Sequence, residues 1–198
     1  MIGIINTGAG NFQSVANALD KIGAKHNFVD SDNFNNFNNY ILPGVGSFKY
    51  AMNNLEQKSL IKPIKSLIDQ PNKRILGICL GMQLLYESSE EDDFCEGLKI
   101  INGKVKKIKH QVVPNVGWRQ VELIKKNILT QDIPSQSFFY HVHSYACYTD
   151  DQNVVIGKLE YEDEFDVIIN FKNIYATQFH PEKSQNLGLK LLKNFLNL

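Results

Sequence analysis

Three residues in this chain have the types and the settings for nucleophilic acyl chemistry: Cys79 within Gly77-Ile78-Cys79-Leu80-Gly81, and His180 and Glu182 within His180-Pro181-Glu182. An apolar run, Ile75–Ile78, ends at the cysteine, and a helical stretch, Met82–Tyr86, follows it. That is the pattern of a nucleophile elbow, where a strand turns sharply into a helix with the nucleophile at the strained tip. The glycines on either side tolerate strain and the close approach of neighbouring backbone. The helix start aims N–H groups and positive dipole at the sulfur, which favours thiolate. A thiolate also needs an imidazole to move a proton and a carboxylate to orient that imidazole. His180 and Glu182 stand two apart, so on an extended segment they point the same way, and Pro181 disfavours helix at His180. An elbow cysteine alone is a weak signal, because free cysteines are often buried for packing. The second segment tips the balance from a structural thiol to a catalytic one.

Positioning these groups requires a sheet. Ile2–Ile5, His26–Val29, Tyr40–Leu42 and Arg74–Ile78 read as short buried strands, and Phe12–Ile22, Tyr50–Leu55 and Leu60–Ile68 carry helical apolar spacing. Such alternation implies a parallel sheet with right-handed crossovers, whose sites lie at the carboxyl ends of strands, where Cys79 falls. The second half is β-leaning: Lys99–Lys109, Gln120–Ile124, Phe138–Val142, Val154–Leu159, Val167–Phe171 and Tyr175–Phe179, closed by a helix over Leu187–Leu196. The fold class expected is therefore α/β, with a mixed, largely parallel sheet flanked by helices and a β-rich second half. Residues 1–198 are expected to form one domain, with no internal repeat and no long linker. Gly8-Ala9-Gly10-Asn11 is a strand-to-helix turn; Gln13 stands where a dinucleotide fingerprint needs its third glycine. The Asn-rich stretch 32–39 reads as a tolerant surface loop.

Lysine plus arginine and aspartate plus glutamate are equal at 21 each, so no nucleic-acid surface is expected. No apolar run reaches membrane-spanning length, and the chain opens on Ile2-Gly3-Ile4-Ile5 without the features of a signal peptide. Cys79, Cys95 and Cys147 have no metal-type spacing, which fits a reduced, cytoplasmic protein without a metal or organic cofactor. Cys95 and Cys147 read as spectators, and His143 as an ordinary hydrogen-bonded histidine.

Five ordered segments carry a family resemblance: Pro43-Gly44-Val45-Gly46, Gly77–Gln83, Pro114-Asn115-Val116-Gly117-Trp118, Tyr140–Tyr145 and Gln178–Ser184. Over essentially its whole length the chain resembles the class I, triad-type glutamine amidotransferases, of flavodoxin-like architecture. Within them it is similar to the branch that serves imidazole glycerol phosphate synthase in histidine biosynthesis. The resemblance implies hydrolysis of L-glutamine to glutamate and ammonia through a thioester on Cys79, with His180 as acid and base and Glu182 orienting it. It implies an oxyanion hole built from the backbone at Val45 and Leu80, with the glycines of Pro43–Gly46 allowing a peptide flip on activation. It places Gln83, Ser144 and Tyr145 on the amino-acid end of the substrate, with Gly46 beside it. It implies a heterodimer with a separate cyclase subunit that receives the ammonia, with Trp118, Tyr140 and Lys183 at the interface and Lys183 poised for a salt bridge.

Two departures from the family pattern, Asn6-Thr7 and Ala146-Cys147, bear on the partner and leave the triad intact. A paralogous glutaminase that feeds a sugar-amidinating enzyme for surface polysaccharide keeps the same chemistry and stays open. A silent binding module would ordinarily lose one of the three triad residues, and a cysteine peptidase leaves the Pro-Asn-Val-Gly-Trp and Val-His-Ser-Tyr segments unexplained.

Overall fold

The computed structural model describes residues 1–8 and 12–198. In chain order its elements are β1 (Ile2–Ile5), α1 (Phe12–Lys21), β2 (His26–Val29), β3 (Asn39–Leu42), α2 (Phe48–Gln57), α3 (Ile61–Ser66), β4 (Arg74–Ile78), α4 (Leu80–Leu84), β5 (Tyr86–Ser89) and β6 (Cys95–Glu96). The second half continues with β7 (Ile101–Lys107), β8 (Asn115–Leu123), β9 (Gln136–His143), β10 (Tyr145–Thr149), β11 (Val155–Tyr161), β12 (Asp163–Phe171), β13 (Ile174–Thr177) and α5 (Gln185–Leu196). Most of the turn expected at Gly8–Asn11 lies outside the described residues.

The sheet runs β2-β1-β3-β4-β13-β12-β10-β7-β5-β6. Its first five strands are parallel. β12 and β10 extend it antiparallel, and β11, β8 and β9 branch from β12 as an antiparallel layer. The mixed α/β class is thus observed: the strands are parallel up to β13 and mainly antiparallel beyond it, where β5 and β7 form a parallel pair.

Neighbouring residues of each parallel strand feed opposite cores, which is why these strands are apolar throughout. Ile4, Ile41 and Leu76 pack with Leu19 of α1 and Leu191 and Phe195 of α5. Ile5, Tyr40, Leu42 and Ile75 pack on the other face with Leu55 of α2 and Ile64 of α3. Helices on both faces leave the carboxyl edge of the strands as the place where side chains can meet a ligand.

Four local expectations are corrected. The helix after the cysteine ends at Leu84, and Tyr86, expected in it, opens β5. Five residues carry little aligned dipole, so the macrodipole's share in favouring thiolate is small. The stretch 181–183 is a 3₁₀ turn, not an extended one. His180 itself is extended (φ −98°, ψ 93°), and the tight turn after it brings Glu182 back beside it. β8 also begins at Asn115, five residues ahead of the expected strand, and β10 has no counterpart among the expected strands.

Candidate active site

Cys79 stands one residue beyond β4 with φ 54° and ψ −107°, a left-handed backbone that an L-residue adopts at a cost. Its N–H donates to the Thr177 carbonyl at 2.8 Å, which fixes the end of β4 against the end of β13. The glycines around it are there for room. A Cβ on Gly81 would stand 1.7 Å from the Leu42 carbonyl oxygen, and one on Gly77 would stand 2.8 Å from that of Gly81. The elbow is therefore pressed against β3 by backbone contact that no side chain permits.

The same strand ends deliver the histidine. His180 Nδ1 lies 2.7 Å from Glu182 Oε1, with side chains 2% and 4% exposed. Ser184 Oγ donates to the His180 carbonyl at 2.6 Å and accepts from the Tyr140 N–H at 3.0 Å, while His180 N–H donates to the Tyr140 carbonyl. A Cβ on Gly188 would meet the Pro181 carbonyl at 2.0 Å, so α5 seats directly on the turn. Burial pulls the His180 imidazolium down, but the adjoining Cys79 sulfur and the Glu182 carboxylate more than offset it and raise its pKa from 6.5 to about 10. His180 Nε2 is buried with no hydrogen bond among the described residues, so the influence of Cys79 on it is mainly Coulombic.

Two further imidazoles lie close by and are of the opposite kind. The Tyr145 carbonyl can only accept, so His143 carries its proton on Nδ1 (2.9 Å), and its Nε2 accepts from His141 Nδ1 (3.1 Å) or Asn115 Nδ2 (3.3 Å). Burial lowers His143 to about 4 and His141 well below its ordinary value. Both stay neutral, which leaves His180 as the charged ring of the three.

A cavity of about 430 Å³ opens over the sulfur. It is lined by Cys79, Val45, Gly46, Leu80, Gln83, Ser144, Tyr145 and Lys183, all singled out from the sequence. It is also lined by Glu91, Pro114, Val142 and His143. Glu91, whose Oε2 accepts from the Phe48 N–H at 2.8 Å, carries no motif of its own. Gly46 has φ +110° and Val45 is exposed. The loop is tied at its start by Thr7 Oγ1 donating to the Pro43 carbonyl. No group of His, Cys, Asp and Glu suited to a metal occurs among the described residues.

The family model for class I glutamine amidotransferases matches residues 3–198. This chain belongs to that family. The HisH 1 subunit of imidazole glycerol phosphate synthase from Campylobacter jejuni strain RM1221 is 45% identical over the whole of both chains. The HisH subunit from Methanocaldococcus jannaschii is 44% identical, again over the whole of both. Among solved structures, a putative GMP synthase subunit from Thermoplasma acidophilum superposes with a TM-score of 0.75 over 99% of this chain and 92% of that one. At 20% identity that likeness concerns the fold alone.

In this amidotransferase the three residues expected at a subunit interface form one contact chain. Trp118 and Tyr140, paired across β8 and β9, meet edge-to-face at 6.2 Å, and Lys183 Nζ lies 5.9 Å from the Tyr140 ring centre. Lys183 has no carboxylate within 4 Å among the described residues. Alternate residues of β8 and β9 turn outward, and Val116, Trp118 and Phe138 are 47%, 40% and 53% exposed. No helix among the described residues is long and apolar enough to cross a membrane.

Proposed function

We propose that residues 1–198 form one glutaminase domain that hydrolyses L-glutamine and passes the ammonia to the cyclase subunit of imidazole glycerol phosphate synthase. The observation that carries the chemistry is the buried pair His180–Glu182 behind a strained Cys79 at the floor of the cavity. Cys79 attacks the side-chain amide carbon. The C–N bond breaks as His180 gives its proton to the departing nitrogen, leaving a glutamyl thioester. His180, now neutral, takes a proton from water; the hydroxide opens the thioester and glutamate leaves. The oxyanion is met by backbone N–H at Leu80 and, after a peptide flip, near Val45, where Gly46 already holds a left-handed conformation.

The substrate's amino-acid end has a definable seat. Both N–H bonds of the Gln83 carboxamide are spent inside the protein, on the Tyr145 carbonyl at 3.0 Å and Gln178 Oε1 at 3.2 Å. Gln83 therefore offers a ligand its oxygen, which suits the α-ammonium, and the Glu91 carboxylate on the same cavity suits it too. Ser144 and Tyr145 complete the wall. The outward apolar ladder of β8 and β9, continuous with Lys183 at the cavity mouth, supports a protein partner that excludes bulk water from the ammonia exit. Identity of 44–45% with HisH subunits over complete chains supports the cyclase as that partner. Three free cysteines suit a reduced cytoplasm.

The test is glutamate release from glutamine by the chain alone, and by the chain with its organism's histidine-pathway cyclase subunit plus the nucleotide ligand of that cyclase. Low basal release that rises by orders of magnitude in the complex is expected. Absence of stimulation, with the cyclase active on ammonium salt, would transfer the assignment to the sugar-amidinating partner.

A further inference from the structure

Gln178 stands one residue beyond β13, level with Cys79 one residue beyond β4, because Thr177 pairs with Ile78. Its side chain is fully buried, yet the carboxamide touches three polar groups. Its Oε1 lies 3.2 Å from Gln83 Nε2 and 3.6 Å from Cys147 Sγ, and its Nε2 lies 3.7 Å from Cys79 Sγ.

Which end of this amide faces the nucleophile is decided by its neighbours. The Tyr145 carbonyl has only lone pairs to offer, so the nitrogen of Gln83 must face it. That same nitrogen donates onward to Gln178, where only oxygen accepts. Cys147 reinforces the choice: burial pushes its thiol well above the ordinary pKa, so it remains S–H and donates to the same oxygen. The nitrogen end of Gln178 is left on the sulfur of Cys79, and a flipped amide would set N–H against N–H at Gln83.

We propose that Gln178 joins the Val142 carbonyl, 3.9 Å from Cys79 Sγ, as a contact on the reacting sulfur: an N–H donor that holds the Cys79 thiolate and is locked from behind by Gln83 and Cys147. The proposal rests on the reading of Cys79 as the nucleophile. It adds to His180 a donor whose proton is not transferred in the reaction, so whenever the sulfur is a thiolate it has one favourable contact that does not depend on the proton carried by His180. It also ties the nucleophile to the substrate seat, since Gln83, which locks Gln178, itself lines the cavity.

The titratable groups around the sulfur are His180 with Glu182 behind it, Cys147 beyond Gln178, and His143, Tyr145, Glu91 and Lys183 on the cavity wall. None is removed by Gln178→Met, which keeps the length of the side chain and deletes the donor. Alkylation of Cys79 by iodoacetamide, followed against pH by peptide mass mapping of the chain alone, reads the thiolate directly. A hydrogen bond to the charged form favours that form, so Q178M is expected to alkylate about tenfold more slowly on the acid side of the profile. Gln178→Glu, which puts a like charge beside the sulfur, is expected to fall further. A profile for Q178M that superposes on the parent's overturns the proposal.

If Q178M unfolds, the unaltered chain still decides. The ¹⁵N side-chain amide of Gln178 is expected to titrate at the midpoint of Cys79 alkylation, and to stop doing so in Cys79→Ser. An amide that ignores the thiol's titration overturns the proposal as well. A parent chain that lacked glutaminase activity would count against the proposed function and leave both thiol measurements intact.

Discussion

The floor and the rim of this cavity are built by opposite rules. At the floor, Cys79, His180, Glu182, Gln83 and Gln178 are buried, each has a partner, and backbone contact at Gly77, Gly81 and Gly188 excludes any alternative placement. At the rim, Val45 is exposed, Gly46 is in a left-handed conformation, and Lys183 rests on the Tyr140 ring rather than on a carboxylate; beyond Tyr140 the face of β8 and β9 continues with the exposed Val116, Trp118 and Phe138. Side-chain order at the floor is set on folding: Glu182 already holds His180 through Nδ1, and His180 Nε2 is left without a hydrogen bond, beside the sulfur. The rim is where free energy from a partner can still be realised. On the proposed function, a protein divided in this way separates having a nucleophile from being allowed to use it.

Removal of the nucleophile tests the floor most severely. Cys79→Ala is expected to lower glutamine-dependent turnover by on the order of 10⁴-fold or more, because groups that act as a unit fail together. Synthesis from added ammonium salt in the complex should be untouched. Loss of both activities would mean that the floor also builds the rim.

Glu182→Gln is the next largest. The amide can no longer fix the imidazole tautomer or support its charge, and kcat is expected to fall on the order of 10⁴-fold. The sign of its pH effect is set by the raised pKa of His180. With the carboxylate and the sulfur present, the ring stays protonated through neutrality and loses its proton only as pH rises through about 10. Deleting the carboxylate lowers that value, so the alkaline limb of kcat should move to lower pH, read from a rate profile of the partner-stimulated enzyme. An alkaline limb that stays in place would separate Glu182 from the charge on His180.

Gly81→Ala tests whether backbone contact is what sets the floor. A Cβ there would overlap the Leu42 carbonyl, a backbone atom that can move only with β3. The expected cost is about 3 kcal/mol of stability, read by denaturant unfolding, because an overpacked core gives way at its strands. A change under about 0.5 kcal/mol, the scale of ordinary surface substitutions, would show that the elbow yields.

The same division sets what was legible in the sequence. The parallel strands and the elbow were readable, since strands buried on both faces announce themselves as apolar runs and glycines mark the sharp turn. β5 was hidden because Leu84-Leu85-Tyr86 is buried on every side, and periodicity cannot tell a fully buried strand from a helix. β10 was hidden because only Ser144 separates it from β9. The two-residue spacing of His180 and Glu182 brings them together through a tight turn, not through the extended segment that the spacing suggests. Glu91 and Gln178 were not found as site residues, since their roles arise from contacts spanning 43 and 99 residues of sequence. Gln178 had a usable signal. Once β4 and β13 are taken as neighbours, the residue after one strand's end must face the residue after the other's.

Trp118→Ala should give the smallest effect and the sharpest contrast with the floor. The ring is 40% exposed and packs on Tyr140, which holds its place through backbone bonds to His180 and Ser184. Truncation therefore removes a surface contact and leaves the buried pair as it was, so basal glutamate release by the free chain should stay within about twofold. In the complex an exposed aromatic anchor is worth about 1–2 kcal/mol, so the apparent Kd for the cyclase should rise by about tenfold. The telling quantity is the ratio of glutamate formed to product made at saturating cyclase. If Trp118 seals the exit, ammonia escapes in the variant and the ratio rises above that of the parent. An unchanged ratio with weakened binding would make Trp118 an anchor alone and move the seal to Lys183 and Tyr140. An unchanged ratio with unchanged binding would place the partner on another face of the protein.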